Sequence, residues 1–309
     1  MSRTIKDYFI IGLKGMAMGA ADVVPGVSGG TIAFISGIYE ELLGSISNIN
    51  LELFKTLKKE GFKKAWKQLN GTFLLSLFVG IVISVISLAK VISWLLDHHP
   101  VLLWSFFFGL VLASIIYIGR QITKWNTISI IVLVLGAVLA YYITTLNPLV
   151  SENSSPIFMF LAGAIAICAM ILPGISGSFI LVLLGAYKPI LSAVNNKNFQ
   201  IIAFVGTGAI IGLLTFSKIL KWLFDNYKNY TLAVLTGFII GSLNKIWPWK
   251  KALTYRINSH GEKVPFNELS ISPYSFDGDP QIMYAVLLSV LGFGLILLLE
   301  RLAVKNNSL

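Results

Sequence analysis

"VVPGVSGGT", Val23–Thr31, sets a Pro-Gly pair and two further glycines inside an apolar stretch that would otherwise run on as a helix. Proline removes a backbone donor and clashes with the preceding turn, so the helix is broken there. In water such a break is an ordinary turn. In hydrocarbon each freed backbone group costs several kcal/mol, and a break survives only inside protein or along a wet cavity. The meaning of the stretch therefore turns on where the chain resides.

Composition answers that. The 309 residues are 56% hydrophobic and 12% charged, with a mean hydropathy of +0.79, which excludes an ordinary soluble globule. Apolar runs at 72–95, 101–118, 128–145, 199–223, 231–247 and 281–299 each reach the roughly 20 residues needed to cross a bilayer. Six spans are expected. The single Cys168 leaves no disulfide framework and no cysteine metal site, and no cofactor is implied. A net charge of +10 without a nucleic-acid fold motif points to membrane lipids, not to nucleic acid. Arg3 and Lys6 before an apolar stretch ending near Ala20-Ala21 imitate a signal peptide.

A cleavable leader would not recur in mid-chain, and this one does. Residues 15–40, GMAMGAADVVPGVSGGTIAFISGIYE, align without a gap to 163–188, GAIAICAMILPGISGSFILVLLGAYK, with nine identities. These include Gly15/Gly163, Pro25-Gly26/Pro173-Gly174, Ser28-Gly29/Ser176-Gly177, Gly37/Gly185 and Tyr39/Tyr187. Downstream, KVISWLLD (Lys90–Asp97) echoes KILKWLFD (Lys218–Asp225), and Gly109 and Ser114 echo Gly237 and Ser242. The expected architecture is an all-α polytopic membrane protein of two repeats, 1–150 and 151–309. Each repeat opens with a re-entrant hairpin broken at Pro-Gly (8–48 and 157–194), and three spans follow. An interfacial helix over 51–69, bent at Gly61, intervenes in the first repeat. An outer loop, 248–280, with a turn at Ser259-His260-Gly261, lies in the second.

A hairpin that returns to its own side plus three spans is an odd number of crossings, so the second repeat is expected upside down. With the amino terminus cytoplasmic, Arg3, Lys6, Lys14, the lysines from Lys55 to Lys67, Arg120, Lys124, Lys221, Lys228, Arg301 and Lys305 fall inside. The exception is 248–280, predicted outside, with Lys250, Lys251, Arg256 and Lys263. Inverted repeats with broken helices are the plan of secondary transporters.

The helix after each break presents free N–H groups and the positive end of its dipole, a setting suited to an anion. Pro25, Gly26, Ser28, Gly29, Gly30 and Thr31 in the first tip, with Pro173, Gly174, Ser176, Gly177 and Ser178 in the second, are the expected binding residues. The alternative is that small residues there merely let helices pack closely. Asp22 and Glu40 stand opposite Met170 and Lys188 and are the candidates for proton coupling. Asp22 could instead cap the tip turn.

At ADVVPGVSGGT, with GIYE following, and MILPGISGS the chain resembles the bacterial polyprenyl-phosphate transporter family over most of its length. The resemblance implies a flippase in the bacterial cytoplasmic membrane, with an anionic lipid, undecaprenyl phosphate, as partner. Its direction would be from the outer to the inner leaflet, for reuse in cell-envelope synthesis. PG-x-S also resembles the phosphate motif of undecaprenyl-pyrophosphate phosphatases, in which an arginine follows the serine and paired glutamates complete the site. Here Gly29 and Gly177 follow the serines, and neither tip offers Arg, Lys or His, so hydrolysis lacks its charge stabilisation. A small-anion channel using the same helix ends is the third reading.

Overall fold

The computed structural model describes residues 3–24, 27–146, 155–257 and 263–307. Pro25, Gly26 and the turn at Ser259-His260-Gly261 lie outside them. In chain order the elements are α1 (Ile5–Val23), α2 (Gly29–Ile35), α3 (Tyr39–Ser47), α4 (Leu51–Glu60), α5 (Phe62–Leu69), α6 (Gly71–His98), α7 (Pro100–Gln121) and α8 (Thr127–Thr145). The second half follows with α9 (Pro156–Ile171), α10 (Gly177–Leu183), α11 (Tyr187–Asn195), α12 (Phe199–Ser242), β1 (Lys250–Ile257), β2 (Lys263–Ser270) and α13 (Ile282–Asn307). The two strands pair antiparallel, so the segment 248–280 adds a β-ribbon to an otherwise helical chain.

Local chemistry sets the boundaries. Thr4 and Asp7 form a capping box at the start of α1. Ser28 and Ser176 cap α2 and α10, accepting from the N–H groups of Gly30 and Phe179. The apolar pieces expected to run unbroken through 27–48 and 175–194 are each split once more. Gly37 (φ 71°) and Gly185 (φ 72°) take the left-handed conformation that suits glycine. Gly37 N–H donates to Phe34 O and Ile38 N–H to Ala33 O; Gly185 and Ala186 donate likewise to Val182 and Leu181. Both short helices thus end in the same Schellman motif. The interfacial segment breaks at Gly61 (φ 84°), with Phe54, Leu57 and Phe62 exposed along it.

By length and composition, four helices among the described residues can cross a membrane: Gly71–Leu88, Pro100–Gln121, Thr127–Thr145 and Phe199–Ile246. The bent pair α10 and α11, 105° apart, makes a fifth candidate. The chain is therefore a multi-pass membrane protein. The difference from six lies at two places. The stretches expected as separate spans, 199–223 and 231–247, run together in α12, interrupted at Tyr227 (φ −134°, ψ 42°). His99, between α6 and α7, has nearly the same angles (φ −136°, ψ 49°). In α13 the apolar part, Ile282–Leu298, is short for a crossing.

Small residues bring the long helices together, and corresponding pairs meet in both halves. Gly15 abuts the Leu77 carbonyl and Gly80 that of Gly12; Gly163 abuts Val205 and Gly208 abuts Phe160, the residues matched to them by the alignment. These contacts hold α1 parallel to α6, and α9 parallel to the first part of α12. Gly109 abuts Ser289 of α13, and its counterpart Gly237 abuts Leu133 of α8. α7 thus packs on α13, and the second part of α12 on α8.

A Cβ at Gly109 or Gly237 would fall on a backbone carbonyl of the facing helix, whereas Gly206 and Gly294 face open space. Alanine at either of the first two is expected to cost about 1–3 kcal/mol. Thermal unfolding of the purified protein should fall for both, with Gly206→Ala and Gly294→Ala close to wild type.

Candidate functional site

The two breaks meet. α1 and α6 keep step from Arg3 over the Phe73 ring at one end to Gly19 against Ile81 and Ser84, which brings the end of α1 opposite the middle of α6. There the Ser28 hydroxyl lies 3.1 Å from the Met170 carbonyl and 3.4 Å from that of Leu172. The Tyr39 hydroxyl donates to Ile171 O at 3.2 Å, and the Gly174 N–H donates to Thr31 Oγ1 at 3.0 Å. Met170 and Ile171 end α9, where helical carbonyls have no partner within their own helix. Side chains of one half thus cap the broken helix of the other. Ser28, Thr31 and Tyr39 are all buried.

Asp22 stands at this junction. Its carboxylate accepts from Gly29 N–H at 2.7 Å, at the start of α2. Lys14, two turns earlier in α1, donates to the Ser36 carbonyl at the other end of α2, at 2.7 Å. Opposite charges thus bracket the short helix in the sense its dipole favours. Gly30 N–H is taken by Ser28 Oγ. The donors expected to face an anion at the first tip are therefore engaged within the protein.

The second tip is built differently. Met170 replaces Asp22, Ser176 Oγ lies 3.2 Å from Ser178 Oγ, and Ser178 is exposed while Gly177 is buried. Gly174 (φ 89°) lies against the Ser242 side chain at the end of α12. Glu40 is brought to neither tip: it sits beyond the Gly37 turn, half exposed, paired with Lys228 at 2.7 Å. Its neighbour Glu41 is held by Arg3 and Asn70.

Beside Asp22 opens a cavity of about 560 Å³, within the range of small-molecule sites. Its walls are Met18, Leu42, Leu74, Leu77, Ile167, Met170 and their apolar neighbours, and it reaches Trp66 and Leu69 of α5. Asp22 is the one carboxylate among its lining residues. Among the described residues no group of three metal-ligating side chains occurs. Tyr39 and Lys14 were missed as site residues. The matched Tyr39/Tyr187 was the available signal for the first, and Lys14 carried none beyond its charge.

The class of protein is thus a multi-pass membrane protein with two broken helices joined at an internal junction beside an apolar cavity. The chain belongs to the undecaprenyl phosphate translocase-like family, whose model matches residues 18–264. A polyprenyl-phosphate transporter of Vibrio cholerae serotype O1 is 50% identical over 309 residues, covering 99% of this chain and all of the relative. One of Staphylococcus aureus is 34% identical over 253 residues, 76% of this chain and 85% of its own. No solved structure gives a significant match. These relatives are transporters, and the chain stands with them and not with the phosphatases.

A Cβ at Gly30 would strike the Ile171 carbonyl, whereas Gly44, in the same hairpin, has open space. Gly30→Ala is expected to part the tips and lower unfolding temperature by several degrees, an effect of about 1–3 kcal/mol. Gly44→Ala should leave it unchanged. Equal unfolding curves for the two would show that the tips are not held in contact.

Proposed function

We propose that the protein is a flippase for a polyprenyl phosphate, moving undecaprenyl phosphate from the outer to the inner leaflet of the bacterial cytoplasmic membrane. The observation that carries this reading is the junction of two serine-capped breaks beside an apolar cavity that holds a carboxylate. The relatives' names supply the substrate class. A wall of Leu, Ile, Met and Phe suits a prenyl chain better than a hydrated small anion, which argues against the channel.

The transport unit is read as two inverted repeats, 1–150 and 151–309, each a re-entrant hairpin with three spans, and a cytoplasmic amino terminus. Matched glycine contacts, the shared Schellman turns and the equal backbone angles at His99 and Tyr227 support the duplication. The pairing of Glu40 with Lys228 is consistent with both facing the cytoplasm. Alternating access then consists of opening the junction toward one side at a time. The phosphate is read as binding at Ser28, Gly29, Gly30, Thr31, Ser176, Gly177 and Ser178, with the backbone around Pro25, Gly26, Pro173 and Gly174. Proton coupling is assigned to Asp22, which touches the helix start, and not to Glu40, which is committed to an exposed ion pair.

Leaflet-resolved transport of labelled undecaprenyl phosphate in liposomes, with and without a pH gradient, tests this. The protein should accelerate movement well beyond empty vesicles, and Ser28→Ala and Ser176→Ala should each slow it at least severalfold. Asp22→Asn can still accept from Gly29, so it should fold and retain slow transport that no longer responds to the gradient. Equal rates with and without protein would end the transporter reading; a full pH response in Asp22→Asn would end the coupling role alone.

A further inference from the structure

Beyond the second tip, α12 ends in a tight turn, Leu243–Ile246, and leads through Trp247 and Trp249 into β1. Two lysines of this segment are turned into the protein. The Lys250 side chain is 8% exposed, with its ammonium 3.6 Å above the Trp104 ring and 3.8 Å from Glu268 Oε2. Lys245 has its ammonium 4.7 Å from the ring of Phe179, in the first turn of α10. Among the described residues, Glu268 is the acidic group whose charge acts on both. Two ammonium groups share one carboxylate, and one of them makes only a long contact with it. Paired charge is what normally keeps a buried cation in place, and here a positive charge is left over.

The surroundings are rigid. Trp247 Nε1 donates to Ile271 O and Trp249 Nε1 to Pro280 O, both at 2.8 Å. Trp247 also meets Phe108 and Trp249 edge to face. The Thr144 hydroxyl donates to Asn244 Oδ1 at 2.9 Å, tying the turn to the end of α8. Cations each held over an aromatic ring, with incomplete neutralisation, suit an anion of more than one charge. Burial, reinforced by Lys245 and opposed by Glu268, pushes the Lys250 ammonium down to about 8, so an arriving anion restores a charge the site is close to losing.

We infer that Lys245 and Lys250 form a docking vestibule for a phosphate monoester at the β-hairpin end of the molecule, with Glu268 as the resident counter-charge that the phosphate displaces. The vestibule reaches Phe179 in the first turn of α10, the helix that starts at the second tip, and so precedes, or follows, the tip junction on the substrate's route. This step rests on the transport reading for its place on that route; the anion binding itself does not.

Binding to the full-length protein in detergent tests it, with farnesyl phosphate and inorganic phosphate as probes and farnesol as the uncharged control. Lys245→Gln with Lys250→Gln should weaken farnesyl phosphate binding at least tenfold and leave farnesol unchanged. Glu268→Gln should tighten it severalfold, an effect that loss of a structural contact would not produce. Competition by millimolar inorganic phosphate assigns the site to the phosphate group itself, and its failure to compete assigns the site to the lipid headgroup. Unchanged binding in the double variant with a wild-type unfolding temperature overturns the inference. Weaker binding in Glu268→Gln also overturns it, and decides the matter should the double variant not fold. Wild-type protein that binds through these lysines yet flips no lipid would end the transport reading alone; protein that flips lipid while binding independently of them would end the vestibule alone.

Discussion

A helix broken in hydrocarbon exposes carbonyls that water cannot reach, and this constraint governs the centre of the molecule. The end of α9 meets it with hydroxyls from the other half, Ser28 at Met170 and Tyr39 at Ile171, while Thr31 receives the Gly174 N–H. None of these bonds is local in sequence. The two halves therefore depend on each other at the place where each is weakest, and the long helices reinforce the dependence by packing α7 on α13 and α12 on α8. Gly30 matters for the same reason, because a methyl group there would occupy the space the Ile171 carbonyl needs.

The junction is not symmetric, although the sequences that build it are related. Asp22 and Lys14 bracket α2, and the second half has Met170 where the first has Asp22. One tip carries its own anion and the other does not. The first tip is closed by internal bonds, whereas the second leaves Ser178 exposed and has Lys245 over the Phe179 ring of the helix that follows it. The two tips are thus chemically distinct, and in the transport cycle proposed above that is a setting in which movement between them can be coupled to a second event.

Much of the fold was legible because the punctuation was repeated. Pro, Gly, Ser and Tyr at matched positions located both breaks, while the serines, expected as donors to an anion, cap the helices that follow. Composition identified the long helices, and Gly61 bent the interfacial segment. The second split at Gly37 and Gly185 was visible only as two matched glycines; its cause, a left-handed residue closing a Schellman motif, is a backbone property that periodicity does not register. The fate of the hydroxyls was not legible at all. Ser28 and Thr31 suit a phosphate and suit facing backbone groups equally well, and only the approach of the end of α9 and of Gly174 selects the second. Lys250 counted only as part of an exception to charge asymmetry and Lys245 carried no signal, because a one-dimensional count cannot distinguish a solvated lysine from one laid against Trp104 or Phe179.

In the transport cycle proposed above, in which phosphate binds at the tips, occupation of the first tip by Asp22 bears on how the phosphate enters. The Gly29 N–H cannot serve two anions, so the carboxylate and an incoming phosphate oxygen compete for one donor. Repulsion between them adds to the competition in a medium of low dielectric constant. A proton on Asp22 removes the repulsion and weakens the carboxyl as an acceptor, which favours the phosphate. By reciprocity, phosphate at the tip must favour the proton to the same extent. Coupling in this form requires no relay of titrating groups through the membrane. It requires only that one helix start be shared, and that the hydroxyl bonds across the junction give way when the shared position changes hands.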